Sequence, residues 1–416
     1  MDQYQINSVN DWLLDQGLRG LDETSLISGF CARLRNHGID IIQAVIYLDT
    51  LHPVQEARGF IWDADTACGL EQRVFSRSNS DDNAQRWSGG PFHYMLQVGL
   101  SELHLPLDYD GEPRFNVLRD LGQEGHTDYF ALIHQMSDDA IGEMDGIYSR
   151  WSTSRPGGFT VADLDALRKL AAALALAIKS AALRRIANSL VEVYLGRDPG
   201  QRVLEGRIAR GTVESIHTVL WYSDMANYTS LSETVHSSEL IAMLNDYSEA
   251  VISAVYAAGG DVLKLIGDGT LAIFNHADPK QAAAAALRAR ADLQARIAAL
   301  NTRRESDRLA TTSVYLALHV GEVFYGNIGS DERLDFTVVG PAVNEVCRMS
   351  AKCREIGRSF VLSDDIVSML SGSDRDGMGD IGLYQLKGVS SPKRLYSPIV
   401  EQSGSIVPSA AKLAEG

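Results

Sequence analysis

Val219-Leu-Trp-Tyr-Ser-Asp-Met-Ala-Asn-Tyr-Thr229 and Gly259-Gly-Asp-Val-Leu-Lys-Leu-Ile-Gly-Asp-Gly-Thr-Leu-Ala-Ile-Phe274 decide the reading of this chain. The first is an apolar run that ends in a carboxylate, Asp224, and reads as a buried strand. The second reads as a strand, a tight Gly-Asp-Gly turn carrying Asp268, and a returning strand. Two carboxylates displayed at strand ends are what a site needs to hold two divalent cations against a triphosphate.

Working outward, Ala226-Asn-Tyr-Thr-Ser-Leu-Ser-Glu leads into an apolar-periodic segment through Leu240, Leu244 and Tyr247. A strand feeding a helix N-terminus aims backbone N–H groups at one point, a natural phosphate seat. The same residues also fit an ordinary capped surface helix. Further on, Val343-Asn-Glu-Val-Cys-Arg-Met lies in a helical stretch, with Asn344 and Arg348 on one face, one turn apart. Arg348 can donate a fork of hydrogen bonds to a phosphorus centre and Asn344 can fix a sugar oxygen. Alone, such a pair on a helix is usually a solvated face. From residue 215 to 398 strands and helices alternate, with a long Ala-rich helix over 279–303.

Taken together, five ordered blocks resemble the class III nucleotidyl cyclase family over roughly residues 210–398. They are Ser223-Asp-Met-Ala-Asn-Tyr-Thr, Lys264-Leu-Ile-Gly-Asp-Gly, His319-Val-Gly-Glu-Val-Phe-Tyr-Gly-Asn-Ile-Gly, Thr337-Val-Val-Gly-Pro-Ala-Val-Asn-Glu-Val-Cys-Arg and Leu386-Lys-Gly-Val. The resemblance implies an α/β (α+β) fold, a ferredoxin-like βαββαβ catalytic domain. It also implies conversion of ATP to 3′,5′-cyclic AMP and pyrophosphate with two Mg²⁺ or Mn²⁺ ions per site. Asp224 and Asp268 match the metal-binding aspartates. Lys264 and Thr337 match the base-reading positions, Asn344 the ribose-orienting Asn, Arg348 the transition-state Arg, and Lys387 a phosphate-contacting lysine. Met225, Ala226, Asn227, Tyr228 and Thr229 match the phosphate-binding turn. The family builds each site across a two-fold interface, so a homodimer with two equivalent sites is implied.

Two departures matter. Asn227 and Tyr228 stand where Gly and Phe are usual, and Asn tolerates left-handed backbone angles better than most residues. Thr337 stands where one branch of the family has Asp. A Thr hydroxyl can accept from an adenine amino group but can also donate. Lys264 argues against guanine, since guanylyl cyclases of this family usually carry Glu there. The alternatives are a catalytically silent cyclase fold acting as a nucleotide-binding or dimerisation module, and a cyclase preferring guanine or a pyrimidine. A diguanylate cyclase fails for want of a Gly-Gly-Asp-Glu-Phe-like block.

The N-terminal half reads differently. A capped helix is expected over 21–35, started by Asp22 or Thr24, then strands at Ala44–Asp49 and Gly59–Asp63 and a short helix over 91–98. Further strands are expected at Glu102–Leu107, Thr127–Met136 and Ile147–Thr153, the first an edge strand because of Pro106. A long helix starts near Thr160. Its Leu164, Leu167, Ala171, Leu174, Ile178 and Ala181 fit either a coiled-coil seam or a helix packed on the preceding sheet. The order helix, antiparallel strands, helix resembles a GAF-type sensor domain, which implies an unknown small-molecule or protein signal. The expected organisation is a sensor over 1–160, a helical linker and joint over 161–210, a catalytic domain over 211–400 and a disordered tail over 401–416.

Composition bounds the rest. The chain has 416 residues, 45% hydrophobic and 22% charged, as ordinary soluble domains do. A net charge of -16 argues against broad nucleic-acid binding. Apolar runs are too short to span a bilayer, and no signal pattern opens the chain. Cys31, Cys68, Cys347 and Cys353 have neither metal-ligand spacing nor a disulfide framework, which suits a reducing, cytoplasmic compartment. His52, His126 and His319 read as structural.

Overall fold

The computed structural model describes residues 1–66, 69–77, 80–107, 114–136 and 145–399. Cys68 and the 401–416 tail lie outside the described residues. The chain divides into two compact units, Met1–Leu190 and Val191–Gly416.

The first unit opens on α1 (Gln3–Leu18) and α2 (Glu23–Asn36), followed by β1 (Gln43–Asp49), β2 (Gln55–Asp63) and β3 (Leu70–Ser76). Then come α3 (Ser80–Ser88), α4 (Pro91–Val98), β4 (Glu102–Pro106), α5 (Asn116–Gln123), β5 (Asp128–Gln135), β6 (Gly146–Thr153) and the long α6 (Val161–Leu195). The strands form one antiparallel sheet in the order β3-β2-β1-β6-β5-β4, and Pro106 lies in the edge strand β4. Asp22 caps α2, accepting from the Ser25 N–H. Strand alternation divides the sheet into two faces. Ala44, Ile46, Leu48, Phe60 and Trp151 join α1, α2 and α6 in one core. Tyr129, Ala131, Ile133 and Tyr148 join α4 and α5 in another.

The seam residues Leu164, Leu167, Leu174 and Ile178 of α6 are buried in the first of these cores. They therefore pack on their own chain's sheet, and the buried run ends at Ile186. Glu23 of α2 receives Arg58 of β2 at 3.1 Å and Arg185 of α6 at 3.0 Å, a half-hidden ionic clamp around one carboxylate.

The second unit begins with α7 (Arg197–Leu204), where the sequence suggested a joint. Pro199 is tolerated because a first-turn residue needs no N–H. β7 (Val213–Met225), α8 (Tyr228–Thr234), α9 (Ser237–Ala257), β8 (Asp261–Ile266), β9 (Gly269–Phe274), α10 (Pro279–Ser306) and β10 (Val314–Gly329) follow. β11 (Leu334–Val339), α11 (Pro341–Ile356), β12 (Phe360–Ser363), α12 (Asp364–Met369), α13 (Gly372–Asp376), β13 (Met378–Tyr384) and β14 (Lys393–Pro398) complete it. The sheet runs β13-β14-β12-β10-β7-β9-β8, with β11 on β10. Its β10-β7-β9-β8 portion, wholly antiparallel, is the ferredoxin-like arrangement of a βαββαβ unit.

α9 and the Ala-rich α10 cover one face; Ala282, Ala283, Ala286 and Ala289 are fully or almost fully buried there. α11 covers the other, through Ala342, Val346, Met349 and Cys353. That helix sits close because β10 has Gly321 beneath it: a Cβ there would lie 2.5 Å from the Ala342 Cβ. Pro341 at the first turn presets its direction.

Candidate active site

β7 and β9 pair in register up to Ser223 opposite Thr270, so the next residue, Asp224, falls beside the Gly267–Asp268 turn. Gly267 takes φ +64°, which a two-residue hairpin turn demands and a side chain would resist. Gly269 has no room for a side chain either, since a Cβ would meet the Tyr222 hydroxyl at 2.5 Å. Asp224 and Asp268 are thereby held side by side on the α11 face of the sheet. Burial, the hydrogen bond that the protonated Asp224 donates to Asp268, and the charge of Asp268 push the Asp224 carboxyl up to about 7. Arg354 in the last turn of α11 and the Met225 N–H oppose that rise. Tyr222 beside them is pushed up to about 12, chiefly by burial, and stays neutral.

Among the described residues no group of three or more His, Cys, Asp or Glu is arranged so that it could hold a metal ion. Two carboxylates could anchor a hard divalent cation such as Mg²⁺ or Mn²⁺ while leaving most of its positions to other oxygen ligands.

Past the carboxylate the chain turns sharply. Met225 and Ala226 are buried, and the Ala226 N–H is already given to the Ser313 carbonyl at 2.8 Å. Asn227 sits in the left-handed region at φ +61°, ψ +20°, and its side chain caps nothing. It thus supplies the backbone conformation for which Gly is usual. Tyr228 and Thr229 begin α8, whose first N–H groups have no partner within the helix.

The base-reading candidates lie on adjoining strands. Lys264 of β8 is exposed and forms an ion pair with Asp335 of β11. Thr337, two residues on and 8% exposed, shares that strand's face and pairs in register with Gly326. Asp335 escaped the sequence reading, although strand periodicity aligns it with Thr337. Asn344 and Arg348 are exposed on α11, while Cys347 between them is pushed up to about 11 by burial against the pull of Arg348. Lys387 is exposed in the connection from β13 to β14. Within the single chain the two aspartates meet, and Lys264 and Thr337 share the β8–β11 region. Among the described residues no hydrogen bond or ion pair joins the aspartates to Lys264, Asn344, Arg348 or Lys387.

His319 is buried and structural. It contacts Ser363 at 2.9 Å and Glu345 of α11 at 2.8 Å, and Lys393 reaches the same Glu345 at 2.8 Å. This cluster fixes the azimuth of α11, and with it the direction of Asn344 and Arg348. No helix among the described residues is long and apolar enough to cross a membrane.

Residues 213–395 match the family model of the adenylate and guanylate cyclase catalytic domain. This stretch is a class III nucleotidyl cyclase domain. An adenylate cyclase of Anabaena cylindrica is 30% identical over 165 residues, covering 39% of this chain and 32% of the relative. Adenylate cyclase 1 of Rhizobium meliloti is 27% identical over 180 residues, covering 43% of this chain and 27% of the relative. The chain therefore spans about a third or less of the curated relatives it matches. Among solved structures, the adenylyl cyclase CyaB of P. aeruginosa is 22% identical with a TM-score of 0.41, over 46% of this chain and 98% of that one. In the matched stretch of this chain Asp224 and Asp268 stand side by side on a sheet whose β10-β7-β9-β8 order is ferredoxin-like.

Proposed function

We propose that this chain is an adenylyl cyclase that converts ATP to 3′,5′-cyclic AMP and pyrophosphate at sites shared between two copies. The observation that carries the reading is the juxtaposed Asp224 and Asp268, with Asp224 held reluctant to ionise until a cation arrives. Divalent cations held there would acidify the ribose 3′-hydroxyl and neutralise charge on the leaving pyrophosphate. Asp224 and Asp268 supply the anchoring carboxylates from one protomer. Lys264, steadied by Asp335, and Thr337 bind the adenine edge from the other. Asn344 orients the ribose. Arg348 donates hydrogen bonds to the phosphorus oxygens as charge builds on them, and Lys387 holds the phosphates. The turn over Met225–Thr229 seats the phosphates with the free N–H groups of its helix start.

Support for the shared site comes from the resemblance of the five sequence blocks to a family that builds each site across a two-fold interface. Support for adenine comes from Lys264 at a position where guanine recognition would call for a carboxylate. We further propose that residues 1–160 sense a signal and that 161–210 relay it. The test is cyclic nucleotide formation from each of the four triphosphates, with Mg²⁺ and with Mn²⁺. ATP should be cyclised fastest. Comparable rates with GTP would refute the base assignment, and no cyclisation of any triphosphate would refute the enzymatic reading.

A further inference from the structure

The first unit contains a cavity of about 520 Å³ on the sheet face that α3 and α4 cover. Its deep wall is aromatic: Tyr148 and Phe92 are buried with ring centroids 5.6 Å apart, and Trp87 meets Tyr148 edge-on at 5.1 Å. Tyr47 closes the same wall, 6.2 Å from Phe92. At the sheet floor stand Tyr129 and Arg150, diagonal neighbours on β5 and β6. The Tyr129 hydroxyl and the Arg150 Nη1 are both shut off from solvent and lack a hydrogen-bond partner among the described residues. Arg150 spends only its Nη2, on Gln43 at 2.7 Å.

Two buried donors without acceptors each carry an uncompensated desolvation penalty, the larger one on the charged group. Nothing in packing requires them: a Phe and a Met would fill the same space. The acids that also line the cavity, Asp49, Glu56 and Asp145, do not answer them, since neither donor has a partner. Asp145 is exposed and accepts from Tyr148, and Glu56 accepts from Asn83. We propose that this cavity is a binding site for a small organic acid with a planar, apolar body, its anionic group seated on Arg150 and Tyr129 and its body against Trp87, Phe92 and Tyr148. A guanidinium beside a phenol offers parallel donors to one carboxylate, and the rings offer faces and edges to a flat ligand. The volume lies within the range of small-molecule sites.

This assignment deepens the sensing role proposed for residues 1–160, and binding is measured apart from turnover so that either can fail alone. The test is calorimetric titration of the full-length protein with indole-3-carboxylate, with indole as the same body lacking the anion, and with phenyltrimethylammonium as a cation. The acid should bind at least tenfold tighter than indole, and the cation should not bind. Tyr129→Phe, which keeps the packing, should weaken the acid several-fold and leave indole unchanged; Arg150→Met should weaken the acid tenfold or more. Equal binding of acid and indole, preference for the cation, undiminished binding by Tyr129→Phe, or no binding of the acid at millimolar concentration would each overturn the proposal.

Discussion

Replacing Asp268 by Asn should stabilise the metal-free cyclase domain at pH 8 and do nothing for it at pH 4. The Asp224 carboxyl rises from 3.8 to about 7 through burial, then the hydrogen bond it donates to Asp268, then the charge of Asp268. A group whose folded-state pKa is raised favours the folded state below its unfolded value, and that advantage disappears as pH climbs through the folded value. The domain should therefore lose stability between about pH 4 and pH 7. At about 1.4 kcal/mol per tenfold, the full shift corresponds to about 4 kcal/mol. Asp224 is only half-buried, so solvent screening cuts this to roughly 1–2 kcal/mol. Asp268→Asn keeps the size and a hydrogen-bonding group but deletes one charge, recovering ~1 kcal/mol of that loss. The assay is hydrogen exchange of peptides spanning residues 213–225 in chelator, which reads the opening free energy of β7 in the intact chain. Adding Mn²⁺ should then invert the order, stabilising the natural protein and leaving Asp268→Asn unmoved. Equal loss of protection from pH 4 to pH 8 in both proteins, or equal stabilisation by Mn²⁺, would refute the coupling between the two carboxylates.

Two further predictions test the substrate side and the turn. Lys264→Ala should raise the KM for ATP about tenfold, while Asp335→Asn, which removes only a half-exposed ion-pair partner, should raise it roughly two- to fivefold with kcat little changed, both read by steady-state kinetics. Asn227→Ala should cost about 1 kcal/mol in urea unfolding because Ala resists φ +61°, whereas Asn227→Gly should be neutral within a few tenths.

The carboxylate pair was legible because both residues sit on strong local signals. Val219–Tyr222 is a continuous apolar run, and Gly267-Asp-Gly is turn chemistry between two strand-like segments. Helical spacing placed Asn344 and Arg348 on one face, but it did not separate a site from a solvated face, and the role proposed for them came from the resemblance. The Lys264–Asp335 pair was not, because its members are 71 residues apart and only the placement of β8 near β11 joins them. Elsewhere α1 was missed: its sequence is largely polar, and only Val9 and Leu13 reach full burial. Its Asp2–Gln5 capping box was the available sign. β3 was missed because four of its seven residues are exposed and no alternation marks it. The α6 pattern could not choose between a seam and a packed face, since periods of 3.5 and 3.6 barely diverge over so few turns.

The central claim, that one active site draws residues from two copies of this chain, is tested most directly by mixing. Asp268→Ala and Arg348→Ala proteins should each lose about 10²-fold or more of ATP cyclisation. Combined in equal amounts they should regain up to about a quarter of the natural activity, because half of the dimers would then be mixed and each would hold one intact site. Activity that stays at the level of the separate mutants, while native gels show mixed dimers forming, would contradict it.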